Sequence, residues 1–244
     1  MGFSKLKKII LKITPKKILN LYQEPIKNQL REMDIYSTLS YSQEGEDLIL
    51  KRIFEGQKTG LYVDVGAHHP KRFSNTYLFY KMGWRGINID AMPGSMDKFE
   101  EIRPEDINLE VAVSDKKEKL KYYVFNEPAL NTFSKQEVEK KNGRGNYKVI
   151  DEVIIETIPL SELLNIHLKA NDQIDFLNID VEGLDLEVLR SIDWSLHHPK
   201  IILVEDLNYH LEDLSESEIF NYLKLKEYHL IAKTFNTLIF LNKE

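Results

Sequence analysis

The sequence predicts an α/β fold: a mostly parallel central sheet with covered faces and a C-terminal antiparallel hairpin. Three observations lead there. Short apolar runs that read as buried strands alternate with segments of helical periodicity. Acidic residues and glycines recur at the carboxyl ends of those runs, where open α/β sheets place their ligands. The last two strand-like segments, 228–233 and 237–242, are separated only by a short turn around Asn236, which makes them a hairpin and the sheet mixed.

Each element has its own signal. Residues 3–34 read as helix, broken near Pro15 and Pro25, with Leu6, Ile9, Ile10 and Ile13 at helical spacing between lysines. Residues 42–54 read as a helix with Asp47, Leu48, Leu50, Ile53 and Phe54 on its core side, closed by Gly56. Leu61–Val65 is a short strand interrupted by Asp64. Ser74 is placed to cap a helix that runs to about Met82 and stops at Gly83. Gly86–Asp90 is the second strand, and a helix follows from Pro93 to before Pro104. Residues 109–113, 120–125 and 153–158 read as strands, with the polar, turn-rich stretch 126–150 as an inserted loop or flap. Ile174–Ile179 is a buried-type strand, 184–192 a helix, 200–204 a strand and 215–226 a helix.

Length and composition bound the rest. With 244 residues the chain accommodates one large α/β domain, read here as 41–244, plus a basic helical extension over 1–40. The absence of cysteine excludes disulfides, thiolate metal sites and cysteine nucleophiles, and agrees with a cytoplasmic location. No run approaches the roughly 20 apolar residues of a membrane-spanning helix, and no signal peptide is legible. A net charge of −6 and the lack of a basic aromatic groove argue against a nucleic-acid partner. Six lysines and no acid fall in residues 1–20. Two readings of that segment stand: a helix that packs on the domain or on a second copy, and peripheral contact with an anionic inner membrane face.

The strand ends carry the candidate site. Gly66 allows a tight turn and close backbone approach to a ligand, and Asp64 beside it can accept hydrogen bonds. Asp90 ends the next strand, 26 residues on, where an acid can accept both hydroxyls of a ribose. The turn 64–70 has one glycine where a dinucleotide fingerprint needs three, which suits a nucleoside without a pyrophosphate. Asp180, Glu182 and Gly183 follow the strand at 174–179, and Glu205 and Asp206 follow the one at 200–204. Asn75, Thr76, Asn131 and Thr132 are short polar groups for cofactor or acceptor, with caps and turns as the alternative.

At the level of motifs the chain resembles the FkbM family of S-adenosylmethionine-dependent methyltransferases. The matching stretches are SQEGED (42–47), YVDVGAHHPKRFSNTYLF (62–79), GINIDAMP (86–93), INLEVAVSD (107–115), ALNTFS (129–134) and IDFLNIDVEGLDLEVLRSIDW (174–194). The resemblance spans roughly residues 40–242 and implies a Rossmann-like class I methyltransferase fold with S-adenosyl-L-methionine as cofactor. It puts Asp64 and Gly66 at the methionine end and Asp90 on the ribose, with Gln43, Asn75 and Ser114 among the cofactor-binding positions. Asp180 and Glu182 fall beside the acceptor. Where the family continues its first motif with a small or acidic residue after the histidine, this chain has His69-Pro70.

The implied reaction is methyl transfer to a hydroxyl oxygen of a small molecule or sugar, of the kind used in surface-glycan biosynthesis. A hydroxyl acceptor calls for a base, and His68, Asp180, Glu182 and Glu205 are the candidates, with His69 behind them. Asp180, Glu182, Glu205 and Asp206 could instead hold a divalent cation through oxygen ligands, although no residue is assigned to a metal. A nicotinamide-dependent oxidoreductase and a non-catalytic protein that keeps the fold are the alternatives.

Overall fold

The computed structural model describes residues 35–169, 171–206 and 214–243. The helix expected over 3–34 lies outside them. The chain divides into two compact units, Met1–Leu39 and Ser40–Glu244, and the strands and helices named below all belong to the second.

Seven strands form the central sheet, and their order creates the site. The strands β1 (Leu61–Val65), β2 (Arg85–Asp90) and β3 (Ile107–Glu110) step outward in one direction. The strands β7 (Phe176–Ile179) and β8 (Ile201–Glu205) step outward in the other, and β9 (Tyr228–Lys233) and β10 (Thr237–Asn242) complete the order β3-β2-β1-β7-β8-β10-β9. All pairings from β3 to β8 are parallel, whereas β10 pairs antiparallel with both β8 and β9. The expected α/β class, with its terminal hairpin, is therefore present. The chain reverses its direction of travel between β1 and β7, so their carboxyl ends splay apart and leave a crevice.

Strand alternation sorts the two faces. Val63 and Val65 of β1, Ile87 and Ile89 of β2, and Leu177 and Ile179 of β7 join one core layer. The helices α5 (Leu160–His167), α6 (Asp185–Arg190) and α7 (Glu218–Leu225) supply Leu160, Leu164, Val188, Leu189 and Leu223 to that layer. On the opposite face Tyr62 and Phe176 pack with Leu50 of α1 (Glu46–Ile53), Phe79 of α2 (Tyr77–Lys81), Phe54 and Trp84. The third helix on the β2 side, α3 (Met96–Ile102), buries Met96 and Phe99 against Ala67.

Several elements differ from the sequence expectation. The first helix starts at Glu46, because Gly45 adopts φ 90° and residues 42–45 form a cap loop. In that loop the buried Asp47 carboxylate accepts from Ser40 Oγ (2.6 Å), the Tyr41 amide (2.7 Å) and Ser42 Oγ (2.9 Å). Asp47 is thus a hub for the cap, and Ile53 sits 36% exposed. Ser74 Oγ does accept from the Tyr77 amide at 3.1 Å, but the helix proper begins at Tyr77. The strand expected at 109–113 splits at Val111: its second half, β4 (Ala112–Val113), joins a separate sheet with β6 (Val149–Ile158) and β5 (Lys119–Phe125). The insert 126–150 is more ordered than a polar loop. It holds a 3-10 turn at Pro128–Leu130 and the helix α4 (Lys135–Lys141), capped by Ser134 Oγ on the Glu137 amide.

Candidate functional site

A cavity of about 400 Å³ opens at the carboxyl ends of β1, β2, β7 and β8, a size typical of small-molecule sites. Gln43, Asp64, Gly66, His68, Asp90, Asp180, Glu182 and Glu205 all line it. Residues read from five separate stretches of sequence therefore converge on one space. Asn75 and Ser114 do not line it. Asn75 stands behind the wall and donates from Nδ2 to Asn178 Oδ1 at 2.8 Å, while the buried Ser114 lies past the split strand and its amide bonds the Ile158 carbonyl.

One side of the cavity is built on a polar row across three strands. Parallel register sets Asn88, Asp64 and Asn178 side by side on β2, β1 and β7. The Asp64 carboxylate accepts from Asn178 Nδ2 at 2.9 Å and from Thr76 Oγ1 at 2.7 Å. Burial raises its pKa, and these bonds with the nearby Arg103 charge oppose the rise. At the end of β2, Asp90 accepts the His68 amide on one oxygen and the Met92 amide on the other, both at 2.8 Å. Asp90 is raised by burial and held back by these two amides and by the Ser95 side chain; a carboxylate offers about four acceptor sites, which leaves capacity for a ligand hydroxyl.

Between the acids the backbone comes close. Gly66 has φ 84°, and a Cβ there would lie 1.8 Å from the Asp180 carbonyl oxygen. The loop after β1 and the loop after β7 can touch only if this residue lacks a side chain. His68 and Glu182, on those same two loops, hold φ of 52° and 53° without being glycine. Left-handed backbone in non-glycine residues costs energy and tends to cluster at functional sites. Desolvation and the neighbouring Arg72 pull the His68 pKa down to about 4, so its imidazole is neutral near pH 7. Arg72 itself bridges to Glu127 Oε1 of the insert at 2.8 Å, across the cavity rim.

The opposite end is acidic. One carboxylate oxygen each from Asp180, Glu182 and Glu205 falls within 4.8 Å of the others. Asp180 is exposed into the cavity. Desolvation first, then Glu182 and Asp185, raise the Asp180 pKa well above its usual range. Glu205 is raised by desolvation and by Asp180 and Glu182, and its Oε2 is buried with no hydrogen-bond partner among the described residues. Lys141, from the last turn of α4, pairs with Glu182 and lies 3.2 Å from Glu137. Among the described residues one lysine pairs with these three carboxylates, and at this spacing their mutual repulsion opposes full ionisation. The cluster must share protons, bind a cation, or face a hydrogen-bond donor from a ligand. Its oxygens suit a hard divalent cation as well as sugar hydroxyls.

The two acids after β7 do not share a side through strand alternation. The strand ends at Ile179, and Glu182 reaches the cavity through the left-handed turn 180–183. Asp185 secures that turn, accepting the Val181 amide at 3.1 Å and the Gly183 amide at 3.0 Å. Asn131 and Thr132 are anchors for the insert. Asn131 Oδ1 accepts the Phe125 amide at 2.8 Å, and Thr132 Oγ1 donates to the Glu182 carbonyl. Sequence reasoning missed Lys141, Asn178 and Arg72. An asparagine inside the buried run FLNI was a legible signal for Asn178. Nothing in the polar run 135–142 singles out Lys141.

No curated protein sequence matches the chain. The sequence profile of the methyltransferase FkbM domain does match, over residues 64–230. That span begins at Asp64 near the end of β1 and takes in β2 to β8, the insert and all three clustered acids. The chain therefore belongs to the FkbM family of S-adenosylmethionine-dependent methyltransferases.

Proposed function

We propose that this protein is an O-methyltransferase that methylates a hydroxyl of a small molecule or sugar, as in surface-glycan assembly on the cytoplasmic side. The observation that carries the reading is the make-up of one cavity: Asp64, Gly66 and Asp90 line it together with Asp180, Glu182 and Glu205. Bound S-adenosylmethionine supplies a sulfonium methyl that needs no further activation. The Gly66 turn and the Asp90 carboxylate are suited to hold the cofactor's backbone and ribose, and Asp64 its ammonium end. Positioning an acceptor oxygen in line with the methyl contributes up to about 7–11 kcal/mol.

The acidic end takes the acceptor. Methyl transfer to a hydroxyl would release the hydroxyl proton, and an ionised carboxylate of the cluster is the group suited to take it. Burial and mutual repulsion raise Glu205 and Asp180, so they hold protons, and a carboxylate of the cluster that stays ionised beside them is the base in this reading; a histidine held near pKa 4 is a weak one. His68 is accordingly a wall and loop residue in this reading. No metal is required: hydroxyl donors from the acceptor satisfy the cluster.

Calorimetry with S-adenosylhomocysteine and with NAD tests the cofactor. Binding of the first alone is expected; binding of NAD alone rejects the reading. Transfer of an isotopically labelled methyl group to a panel of hydroxylated acceptors, with base-stable product, tests the ether linkage. Label that alkali releases would indicate a carboxylate acceptor instead.

A further inference from the structure

We infer that Arg103 is a positioning residue for the cofactor end of the cavity, fixing the orientation and charge of the Asp64 carboxylate through the Thr76 hydroxyl. The inference rests on the proposed cofactor site, and it concerns a residue that never touches the cavity. Arg103 follows α3 and is 0% exposed, an unusual place for a guanidinium unless every donor is used.

Each of its three nitrogens donates, two toward an anchor and one toward Asp64. Arg103 Nε donates to Asp106 Oδ2 at 2.9 Å, and Nη2 donates to the Tyr62 hydroxyl at 2.8 Å. That hydroxyl donates onward to Asp106 Oδ2 at 2.6 Å. Asp106 is locked in turn by the Gly86 amide and Asn88 Nδ2, each at 3.0 Å. Arg103 Nη1 then donates to Thr76 Oγ1 at 3.0 Å. A threonine hydroxyl has one proton, so with Arg103 supplying a bond to its lone pair, that proton goes to Asp64 Oδ2 at 2.7 Å. Donors arranged in series polarise one another. The result is a positive charge delivered to the floor of the cavity by way of a neutral hydroxyl.

Asp64 needs this support. Its charged neighbours on β2 and after β7 are Asp90 and Asp180, both acids, and Asp106 stands beyond Thr76. Arg103 is the cation set against them, and Asn178 on β7 is the other neutral donor. Without the guanidinium the buried carboxylate would take a proton at higher pH and lose its hold on an ammonium group.

Carbon-detected NMR of aspartate-labelled protein reads the Asp64 titration directly, with Asp64→Asn for assignment. Calorimetric titration of S-adenosylhomocysteine from pH 4 to 9 reads its consequence. Arg103→Gln and Thr76→Val should each raise the Asp64 midpoint by about one pH unit or more. Between the old and new midpoints, affinity should fall by up to about tenfold. Thr76→Ser, which keeps the hydroxyl, should restore both. Should Arg103→Gln fail to fold, Thr76→Val alone decides. A lowered Tm with an unmoved Asp64 midpoint in Thr76→Val overturns the inference and leaves Arg103 a core residue. A shifted midpoint in a protein that never binds S-adenosylhomocysteine rejects the cofactor reading but keeps the Arg103–Asp64 link.

Discussion

Replacing Gly66 by alanine separates two costs that the structure combines at one residue. Gly66 and Gly56 both have left-handed backbones, with φ of 84° and 88°. Alanine in that conformation costs about 1–2 kcal/mol at either position. A Cβ at Gly56 meets nothing within 4 Å, whereas one at Gly66 lands 1.8 Å from the Asp180 carbonyl oxygen and 2.7 Å from its carbon. The backbone of Asp180 cannot rotate aside as a side chain would, so the loops after β1 and β7 must part. Forced overpacking of this kind adds about 1–3 kcal/mol. For a domain of this size each kcal/mol lowers Tm by about 2–4 °C. Gly66→Ala should therefore melt about 2–12 °C below Gly56→Ala, and it alone should lose S-adenosylhomocysteine binding. The pair is compared by calorimetric melting and by ligand titration. Equal Tm values, or retained binding in Gly66→Ala, would refute the close approach of the two loops.

Three further outcomes are expected at the site. Asp90→Asn places an amide group where two amide donors, and in the proposed site a ribose, require acceptors; S-adenosylhomocysteine affinity should drop at least about tenfold at roughly 1.5–3 kcal/mol for bonds to a charged group, and an unchanged dissociation constant in calorimetry rejects the proposed ribose contact. Glu205 has its folded pKa raised by burial and its acidic neighbours, so its stability cost is absent below the unfolded value near pH 4 and grows as pH rises toward the folded value. Glu205→Gln should therefore melt higher than the parent protein at pH 8, with the gap closing by pH 4; a gap independent of pH contradicts the raised pKa. EDTA should leave S-adenosylhomocysteine binding unaltered, and a chelator-dependent loss that magnesium or manganese restores would put a cation at Asp180, Glu182 and Glu205.

The features legible in the sequence were those that obey period two or sit at a chain reversal. Leu61–Val65 and the hairpin strands 228–233 and 237–242 emerge with the residues expected. The apolar alternation and the short turn leave little freedom there. Asp64, Gly66, Asp90, Asp180, Glu182 and Glu205 were legible as a set because parallel strands end on one side of a sheet. The split at Val111 was not. Glu110 and Ala112 continue the same extended run, and only tertiary pairing assigns β3 and β4 to different sheets. Ser114, chosen from a motif position, lies past that split and misses the cavity wall. The helix in the insert was not legible because turn-forming asparagine and glycine pairs cluster at 142–146, while the short run Lys135–Lys141 is stabilised by the Ser134 cap, by the Glu137–Lys141 pair within it and by Lys141 reaching Glu182 across the site.

The same insert supplies the acidic cluster with its counter-charge. Among the described residues, Lys141 is the cation that ion-pairs with the cluster, through Glu182, and its side chain is 19% exposed against 14% for Glu182. Both groups are shielded enough for their attraction to outweigh solvent screening. Lys141 is raised chiefly by Glu182 and Glu137 against the opposing effect of burial. Lys141→Met removes the charge but keeps most of the stem. Breaking a buried pair from one side costs about 3–5 kcal/mol, and partial exposure brings this pair toward the lower end. The cost should depend on pH. Near pH 5 the acids, already raised by burial, can take up a proton and the loss is blunted; at pH 8 an unpaired Glu182 stands beside Asp180 and Glu205, and the loss is full. Glu182→Gln in the same chain removes the uncompensated charge and should recover most of the stability at pH 8. Urea unfolding of the single and double variants at both pH values provides the measurement. If Lys141→Met costs the same at pH 5 and pH 8, or if Glu182→Gln gives no recovery, the lysine is a packing residue of the insert and the cluster draws its neutrality from shared protons alone.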